Sequence, residues 1–304
     1  MAAEVVRGDP FDHVVFRGPR TSTRRLHVYL DGDGTPWLGG LPAGDPTPRE
    51  HLVLTLMARD PGATIYVGRP CYHGMATAPR CAGELWTSHR YSEVVVASMA
   101  AALRRLLDAG GAEQVAWLGY SGGGVLAVLL AARIPETIAV VTVAANLDIT
   151  AWAEARGALP LTGSLNPARQ PPLGPDVYQR HYAGARDRIV PPAVVRAGAK
   201  GGPVVVIPDF DHTCCWATLW ERVLGDLDRA LEQGADGHRG SARSSEGDAH
   251  SQAHGVARAV AVADQLAEAG ERGGAAREHH GDAGSDVDVV AVGPIGLEAE
   301  LLAR

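Results

Sequence analysis

Short apolar runs alternate along the chain with longer segments in which apolar residues recur at helical spacing. The short runs do not alternate between apolar and polar positions, a pattern typical of strands buried on both faces of a parallel sheet. We predict strands at residues 26–30, 63–67, 114–120, 137–146, 177–185 and 202–210. We predict helices at residues 47–62, 92–111, 123–135, 191–200 and 215–234. This order predicts an α/β fold with a doubly wound, mostly parallel sheet and helices on both faces.

Two stretches interrupt this alternation. Residues 147–176 contain several prolines and glycines and one short helical piece, so we expect an irregular excursion over one end of the sheet. After residue 233 the composition becomes polar and rich in Gly, Ser and His, which is typical of disordered, low-complexity sequence. We therefore predict an N-terminal extension over residues 1–25, one α/β domain over residues 26–233 and a disordered tail over residues 234–304.

Charge and composition exclude several kinds of partner. The formal net charge is −7, and the tail, with 12 acidic and 6 basic residues, accounts for most of it. The near-neutral remainder has no strongly basic character, so no nucleic-acid partner is predicted. No run of about 20 apolar residues is present, so no membrane-spanning segment is predicted. The five tail histidines fit no fixed ligand spacing, and neither a metal nor another cofactor is predicted.

The cysteines and the N-terminus give conflicting indications of the compartment. Cys71 and Cys81 flank a loop short enough for a disulfide, which favours an oxidising compartment. Residues 1–20 lack the apolar core of a signal peptide, so the sequence as written indicates a cytoplasmic protein. A misplaced start codon would reconcile the two observations, and the protein would then be exported.

Candidate chemistry centres on Ser121. The stretch Gly119-Tyr120-Ser121-Gly122-Gly123 matches G-x-S-x-G and lies between a predicted strand and a predicted helix. In this context the serine occupies a sharp turn, and the flanking glycines allow strand and helix to approach closely. The dipole of the following helix favours negative charge near Ser121. The alternative is a tight glycine-rich connection in which the serine has no chemical role.

A nucleophilic serine needs a base and an acid, which in this architecture follow it along the chain in the order acid, then histidine. Asp187 and His212 come just after the last two predicted strands, at the same edge of the sheet as Ser121. We predict that His212 takes the proton from Ser121 and that Asp187 orients the imidazole.

Several alternatives remain for this pair. Asp187 could instead form a surface ion pair with a neighbouring arginine, and Asp148, which also follows a buried strand, could supply the acid. His212 could be an ordinary loop histidine. His181 precedes Asp187 and lies inside a predicted strand, so it is the weaker candidate for the base.

Two main-chain amides could stabilise an oxyanion. One is the N–H of Gly122, directly after the nucleophile, and the other lies in the loop at residues 30–34, where we predict that Asp33 donates its main-chain N–H. The alternative for this loop is a plain turn. Its two carboxylates, Asp31 and Asp33, are too few for a calcium site.

The stretches "GYSGGG", "GARDRIVP" and "DFDH", in this order, resemble the α/β-hydrolase superfamily over about residues 26–233. The chain is more closely similar to a poorly characterised group of bacterial serine hydrolases that includes predicted lipoproteins, through "YLDGDGTPW", "GRPC", "WTSHRYS", "LTGSLNP" and "DHTCCW". The resemblance implies an α/β-hydrolase fold, a triad of Ser121, Asp187 and His212, and main-chain donors near Asp33 and Gly122. One departure is Asp31-Gly32, where esterase loops have His-Gly.

These residues favour a serine hydrolase that cleaves a carboxylic ester of a small acyl substrate through an acyl-enzyme. A peptidase or an acyltransferase would use the same residues, and a non-catalytic binding protein could share the scaffold. A nucleotide-binding protein is disfavoured because no lysine follows the glycine run. Residues 161–168 are candidates for substrate contact. Trp37 and Trp216 could shape an acyl pocket, although packing in the core or at the rim is the favoured role for each. Ser88 and His89 are a weaker candidate for a second catalytic pair.

Overall fold

The computed structural model describes residues 3–21 and 24–234. The strands are β1 (Ala3–Arg7), β2 (Asp12–Arg17), β3 (Arg25–Leu30), β4 (Trp37–Leu38), β5 (Leu41–Pro42), β6 (Thr64–Val67), β7 (Gln114–Tyr120), β8 (Thr137–Val143), β9 (Tyr178–Gly184) and β10 (Val204–Ile207). The helices are α1 (Leu52–Ala58), α2 (Glu93–Gly110), α3 (Gly122–Ala131), α4 (Ile149–Arg156), α5 (Pro192–Gly198) and α6 (216–234).

Eight of these strands form one twisted sheet in the order β1-β2-β6-β3-β7-β8-β9-β10. The six strands from β6 to β10 in that order pair in parallel, and only the first two pairings are antiparallel. The remaining strands, β4 and β5, form a separate small hairpin. The predicted mostly parallel, doubly wound sheet is therefore confirmed.

Helices cover both faces of the central strands. On β7, Val115 and Trp117 pack in a core cluster with α2 and α3. The alternate residues Ala116 and Leu118 pack in a second cluster with α1 and α6 on the opposite face. Because both faces of the strand are buried, every position favours an apolar residue, which explains the unbroken apolar runs in the sequence.

The predicted domain boundary at residue 26 is wrong. Strands β1 and β2 form an antiparallel hairpin at the edge of the main sheet, and Val15 of β2 pairs with Val67 of β6. Residues 3–17 are thus part of the domain and not an extension, because β2 contributes buried apolar residues to the common core. The predicted tail at residues 234–304 lies outside the described residues, except for residue 234.

The predicted disulfide between Cys71 and Cys81 is present. Cys214 and Cys215, neighbours in the chain, are also joined by a disulfide, which the sequence analysis did not consider. Among the described residues, no helix is both long and apolar enough to cross a membrane. The same residues contain no group of three or more His, Cys, Asp or Glu side chains arranged to hold a metal ion.

The contact between β7 and α3 gives the first testable prediction. A Cβ on Gly119 would lie 2.5 Å from the carbonyl oxygen of Gly123 and 2.6 Å from the Cα of Gly124. Both atoms belong to the backbone and cannot rotate away, so Gly119→Ala should lower the free energy of unfolding by roughly 3 kcal/mol. Urea unfolding followed by far-UV circular dichroism measures this change.

Gly110→Ala is the matched control, because nothing lies within 4 Å of a Cβ at this position near the end of α2. This substitution should change stability by no more than about 1 kcal/mol, in the stabilising direction. Equal effects of the two substitutions would contradict the proposed backbone contact.

Candidate active site

Ser121 occupies a single-residue turn between β7 and α3. Its backbone has φ 50° and ψ −125°, a conformation that a non-glycine residue adopts only when its surroundings enforce it. The Ser121 N–H donates to the carbonyl of Val143 on β8, at 2.8 Å, and its carbonyl accepts from the N–H of Gly124, at 2.9 Å. A side chain on Gly123 would collide with the backbone of Leu30, so α3 packs directly against β3.

The structure brings the three predicted triad side chains together. His212 Nε2 lies 3.1 Å from Ser121 Oγ, and His212 Nδ1 lies 2.8 Å from Asp187 Oδ2. Because the carboxylate can only accept, Nδ1 carries the proton and Nε2 is free to accept from the serine hydroxyl. Asp187 follows β9 and His212 follows β10, which places them at the edge of the sheet where β7 delivers Ser121.

Both partners of Ser121 are fixed by further contacts. The buried Asp187 carboxylate accepts from the main-chain N–H groups of Ile189 and Val190, each at 2.8 Å. The carbonyl of His212 accepts from the Tyr120 hydroxyl at 3.1 Å and from Trp216 Nε1 at 2.9 Å. Trp216 is therefore a buried support for the histidine loop and does not line the cleft.

The alternative acids and bases form other contacts. Asp148 caps α4 and also binds the Asn166 side chain. Arg186 forms its ion pair with Asp209 and not with Asp187. His181 is buried within β9, where its Nδ1 lies 2.9 Å from the hydroxyl of Thr142, and burial lowers its pKa to about 4.

Ser88 and His89 are hydrogen-bonded to each other, with 2.8 Å between Ser88 Oγ and His89 Nδ1. The main-chain oxygen of Ser88 accepts from the Ser164 hydroxyl, which in turn accepts from the N–H of Tyr91. A side chain on Gly163 would collide with the His89 ring. These contacts join the excursion at residues 147–176 to the loop before α2, so the pair has a clear structural role.

The two predicted oxyanion donors lie on adjoining segments. Within the described chain, neither the Asp33 N–H nor the Gly122 N–H has a hydrogen-bond acceptor. A side chain on Gly122 would collide with the Asp33 carboxylate, so the two residues are in close contact. A Cβ on Gly32 would lie 3.4 Å from the Cβ of Ser121, which places the Asp33 loop directly beside the serine.

A buried ion cluster fixes this loop. The Asp33 carboxylate pairs with Arg69 Nη1 and with Arg90 Nη1, each at 2.8 Å, and accepts from the Tyr91 hydroxyl at 2.7 Å. The Tyr72 hydroxyl donates to the main-chain oxygen of Asp33 at 3.0 Å. The guanidinium of Arg69 also packs against the rings of Tyr72 and Tyr91. We call these five residues the Asp33 clamp.

The clamp keeps a buried carboxylate ionised. Burial alone would raise the pKa of Asp33, but the charges of Arg90 and Arg69 and the bond from Tyr91 outweigh it and lower the pKa to about 2. The main-chain donor at Asp33 was predicted from the sequence, but its side-chain partners were not. The only signal was that Arg69 falls within "GRPC" and that Arg90 and Tyr91 fall within "WTSHRYS", two of the stretches that carried the resemblance.

A cleft of about 1210 Å³ opens beside Ser121 and His212. Residues 158–161 of the excursion form part of its wall. A main-chain hydrogen bond from the Leu165 N–H to the Tyr91 carbonyl holds the excursion in place. The larger apolar side chains in the wall are Trp37, Leu52, Trp152, Leu159, Leu161 and Ile189. Trp37 and the first residue of the predicted segment 161–168 thus do line the cleft.

Comparisons with known proteins agree with this architecture. A family model described as alpha/beta hydrolase fold matches residues 38–169. Proline iminopeptidase from Mycobacterium smegmatis is similar in structure with a TM-score of 0.53, at 14% identity over 77% of this chain and 98% of that one. An esterase from Pyrococcus furiosus has a TM-score of 0.52, at 14% identity over 75% and 90% of the two chains.

The alpha/beta hydrolase domain-containing protein 10 from mouse has a TM-score of 0.50, at 15% identity over 77% of this chain and 99% of that one. No curated protein matches the sequence. At such identities the structural likeness establishes the fold alone. The family model, which matches part of the chain, and the mostly parallel eight-stranded sheet together show that the chain has the α/β-hydrolase fold.

Proposed function

We propose that this protein is a serine hydrolase that cleaves carboxylic esters through an acyl-enzyme. The observation that carries the proposal is the continuous hydrogen-bonded series from Ser121 through His212 to Asp187, at 3.1 and 2.8 Å. The Asp33 and Gly122 amides beside the serine, which have no acceptor among the described residues, support it, because an acyl-transfer site needs donors where negative charge develops.

In the first step Ser121 Oγ attacks the ester carbonyl carbon, and its proton passes to His212 Nε2. The carbonyl oxygen becomes an oxyanion within reach of the N–H groups of Asp33 and Gly122. The positive end of the α3 dipole lies at the same place and favours this charge. Asp187 stabilises the imidazolium that His212 forms.

Collapse of the tetrahedral intermediate breaks the bond between the carbonyl carbon and the leaving oxygen. His212 gives its proton to that oxygen, the alcohol departs, and the acyl group stays on Ser121. A water molecule then repeats the attack, its proton passes to His212, and the second collapse returns a proton to Ser121 Oγ. The products are a carboxylic acid and an alcohol.

The Asp33 clamp would act on this reaction through the main chain. Because the side chain of Asp33 is held by two arginines and a tyrosine, and its carbonyl by Tyr72, the orientation of its N–H is set before substrate binds. A preorganised donor needs no reorientation as the oxyanion forms, which is why such donors contribute strongly to catalysis. A peptidase or an acyltransferase would use the same groups with a different leaving group or acceptor.

Covalent labelling tests the nucleophile. A fluorophosphonate probe should label the wild-type protein, and Ser121→Ala should abolish the label because no other oxygen is bonded to His212 Nε2 within the described chain. Asp187→Asn should lower kcat/KM for a short aryl ester by about 10⁴-fold, since an amide stabilises the wrong tautomer of the histidine.

Ser88→Ala is the matched control, because Ser88 also lies in the cleft and is bonded to a histidine. This variant should keep the label. A label that survives Ser121→Ala, or that disappears in Ser88→Ala, would overturn the assignment of the nucleophile.

Asp33→Asn tests the clamp. Removing the charge leaves two buried guanidinium groups without their partner, so stability near pH 7 should fall by about 3 kcal/mol or more. A misplaced main-chain donor should lower kcat by roughly 100-fold with a smaller change in KM. Urea unfolding and steady-state ester hydrolysis measure the two effects, with Asp108→Asn on the exposed surface of α2 as control.

The stability difference between wild type and Asp33→Asn should change with pH in a direction that follows from the pKa of Asp33. The pKa of Asp33 is about 2 in the folded protein, against 3.8 for an aspartate exposed to water. The stability that its ionisation contributes is therefore fully present above about pH 4 and is lost as pH falls towards 2. The stability difference between wild type and Asp33→Asn should shrink across this window, and a difference that grows on acidification would refute the clamp.

A further inference from the structure

Asp31 lies two residues before Asp33 but in the opposite electrostatic situation. Burial raises the pKa of Asp31 to about 6, although the Gly32 N–H bond and the charge of Arg69 act against the increase. Its carboxylate accepts one hydrogen bond, from the Gly32 N–H at 2.7 Å. No Arg, Lys or His of the described residues forms an ion pair with it, and Arg69 donates to its main-chain oxygen instead.

The Asp31 side chain belongs to the wall of the cleft that contains Ser121 and His212. It is next to Gly32, where a Cβ would come within 3.4 Å of Ser121 Cβ and of the Tyr120 ring. Burial is the main cause that raises the pKa values of Tyr66 and Tyr120, and the negative charge of Asp31 is the second. The carboxylate is therefore near enough to both rings for its charge to act on them, in the wall of the cleft that contains Ser121.

An ionised Asp31 is unfavourable in this cleft for two reasons. A desolvated carboxylate with a single neutral donor is poorly compensated for the loss of water. Its negative charge also belongs to the wall of the cleft in which the oxyanion would form, and two like charges in a poorly solvated site oppose each other. A positive group brought in by the ligand would remove both penalties.

We propose that Asp31 binds a cationic group of the substrate, so that the preferred substrates are esters with an ammonium group a few bonds from the scissile carbonyl. The inference rests on the proposed ester hydrolysis at Ser121 and adds the class of substrate. The other charged side chains at the cleft mouth are Arg49 and Glu50, which have opposite charges and are exposed to water, so they largely cancel.

The groups facing Asp31 define the pH behaviour. They are the Gly32 N–H on its own turn, Arg69 after β6, Tyr66 on β6 and Tyr120 at the end of β7. None of these side chains changes charge between about pH 5 and 8. Preference for a cationic ester should therefore be present above the Asp31 pKa and be lost as pH falls below it.

Two isosteric ester pairs test the proposal from the two sides of the ester bond. L-alanine methyl ester and methyl isobutyrate differ by an ammonium in place of a methyl group on the acyl side. Choline butyrate and 3,3-dimethylbutyl butyrate differ by nitrogen in place of carbon on the alcohol side. The measured quantity is the ratio of kcat/KM within a pair, in which effects common to both esters cancel.

The wild-type protein should favour the cationic member of at least one pair by about tenfold or more near pH 7, the size expected for a hydrogen bond or contact to a charged group. The pair that shows the preference identifies the side of the ester on which the cation lies. Asp31→Asn should bring the ratio close to that of the uncatalysed reaction, whereas Glu50→Gln, which removes a carboxylate from the cleft mouth, should keep the preference.

The proposal is overturned if wild type shows no preference in either pair, or if the preference survives Asp31→Asn. If the wild-type protein does not hydrolyse the neutral esters, the proposed function itself is refuted. In that case calorimetric binding of choline butyrate and its neutral isostere to Ser121→Ala, with and without Asp31→Asn, decides the inference on Asp31 by the same comparison.

The Asp31→Asn variant should fold. The folded pKa of about 6 lies above the 3.8 of an aspartate exposed to water, so ionisation of Asp31 costs stability as pH rises from about 4 through 6. The amide removes this cost, and thermal unfolding near pH 8 should show the variant to be at least as stable as wild type. A large loss of stability would show that Asp31 is a structural ion and overturn its role as a ligand group.

Discussion

The close approach of β7 and α3 is the constraint on which the rest of the site depends. Glycines at positions 119, 123 and 124 allow strand and helix to meet backbone to backbone, because side chains there would enter β3, β8 or the helix itself. A chain that reverses within one residue leaves Ser121 at positive φ. Its side chain and the first amide of α3 then face the same space, at the edge where β3, β9 and β10 deliver their loops.

Two aspartates in one turn have opposite roles in this space. The Asp33 carboxylate forms ion pairs with two arginine side chains, and these pairs hold its loop against the segments after β6 and before α2. Among the described residues Asp31 has no ion-pair partner, and it lines the cleft. Neighbouring carboxyl groups whose environments move their pKa values apart are a common sign of a functional site. Here the Asp33 carboxylate supports the main chain, and we propose that the Asp31 carboxylate binds a ligand.

Chain order and strand ends were enough to select Ser121, Asp187 and His212 from the sequence, because parallel strands deliver their following loops to one edge. The edge hairpin of β1 and β2 was missed, since its apolar run is short and no helix separates its strands. The partners of Asp33 were missed for another reason. Arg69 and Arg90 reach it across 36 and 57 positions, and ion pairs between loops leave no periodic pattern in the sequence.

The disulfide between Cys71 and Cys81 has a consequence for how the site is completed. Cys71 stands between Arg69 and Tyr72, two members of the Asp33 clamp, and packs with Phe11 from the N-terminal hairpin. The covalent link thus closes the segment from which the clamp reaches the donor loop, while Ser121, His212 and Asp187 lie on other segments. The second disulfide, between Cys214 and Cys215, lies two residues after His212, so an oxidation that follows synthesis reaches both the segment that supports the proposed oxyanion donor and the loop that carries the proposed base.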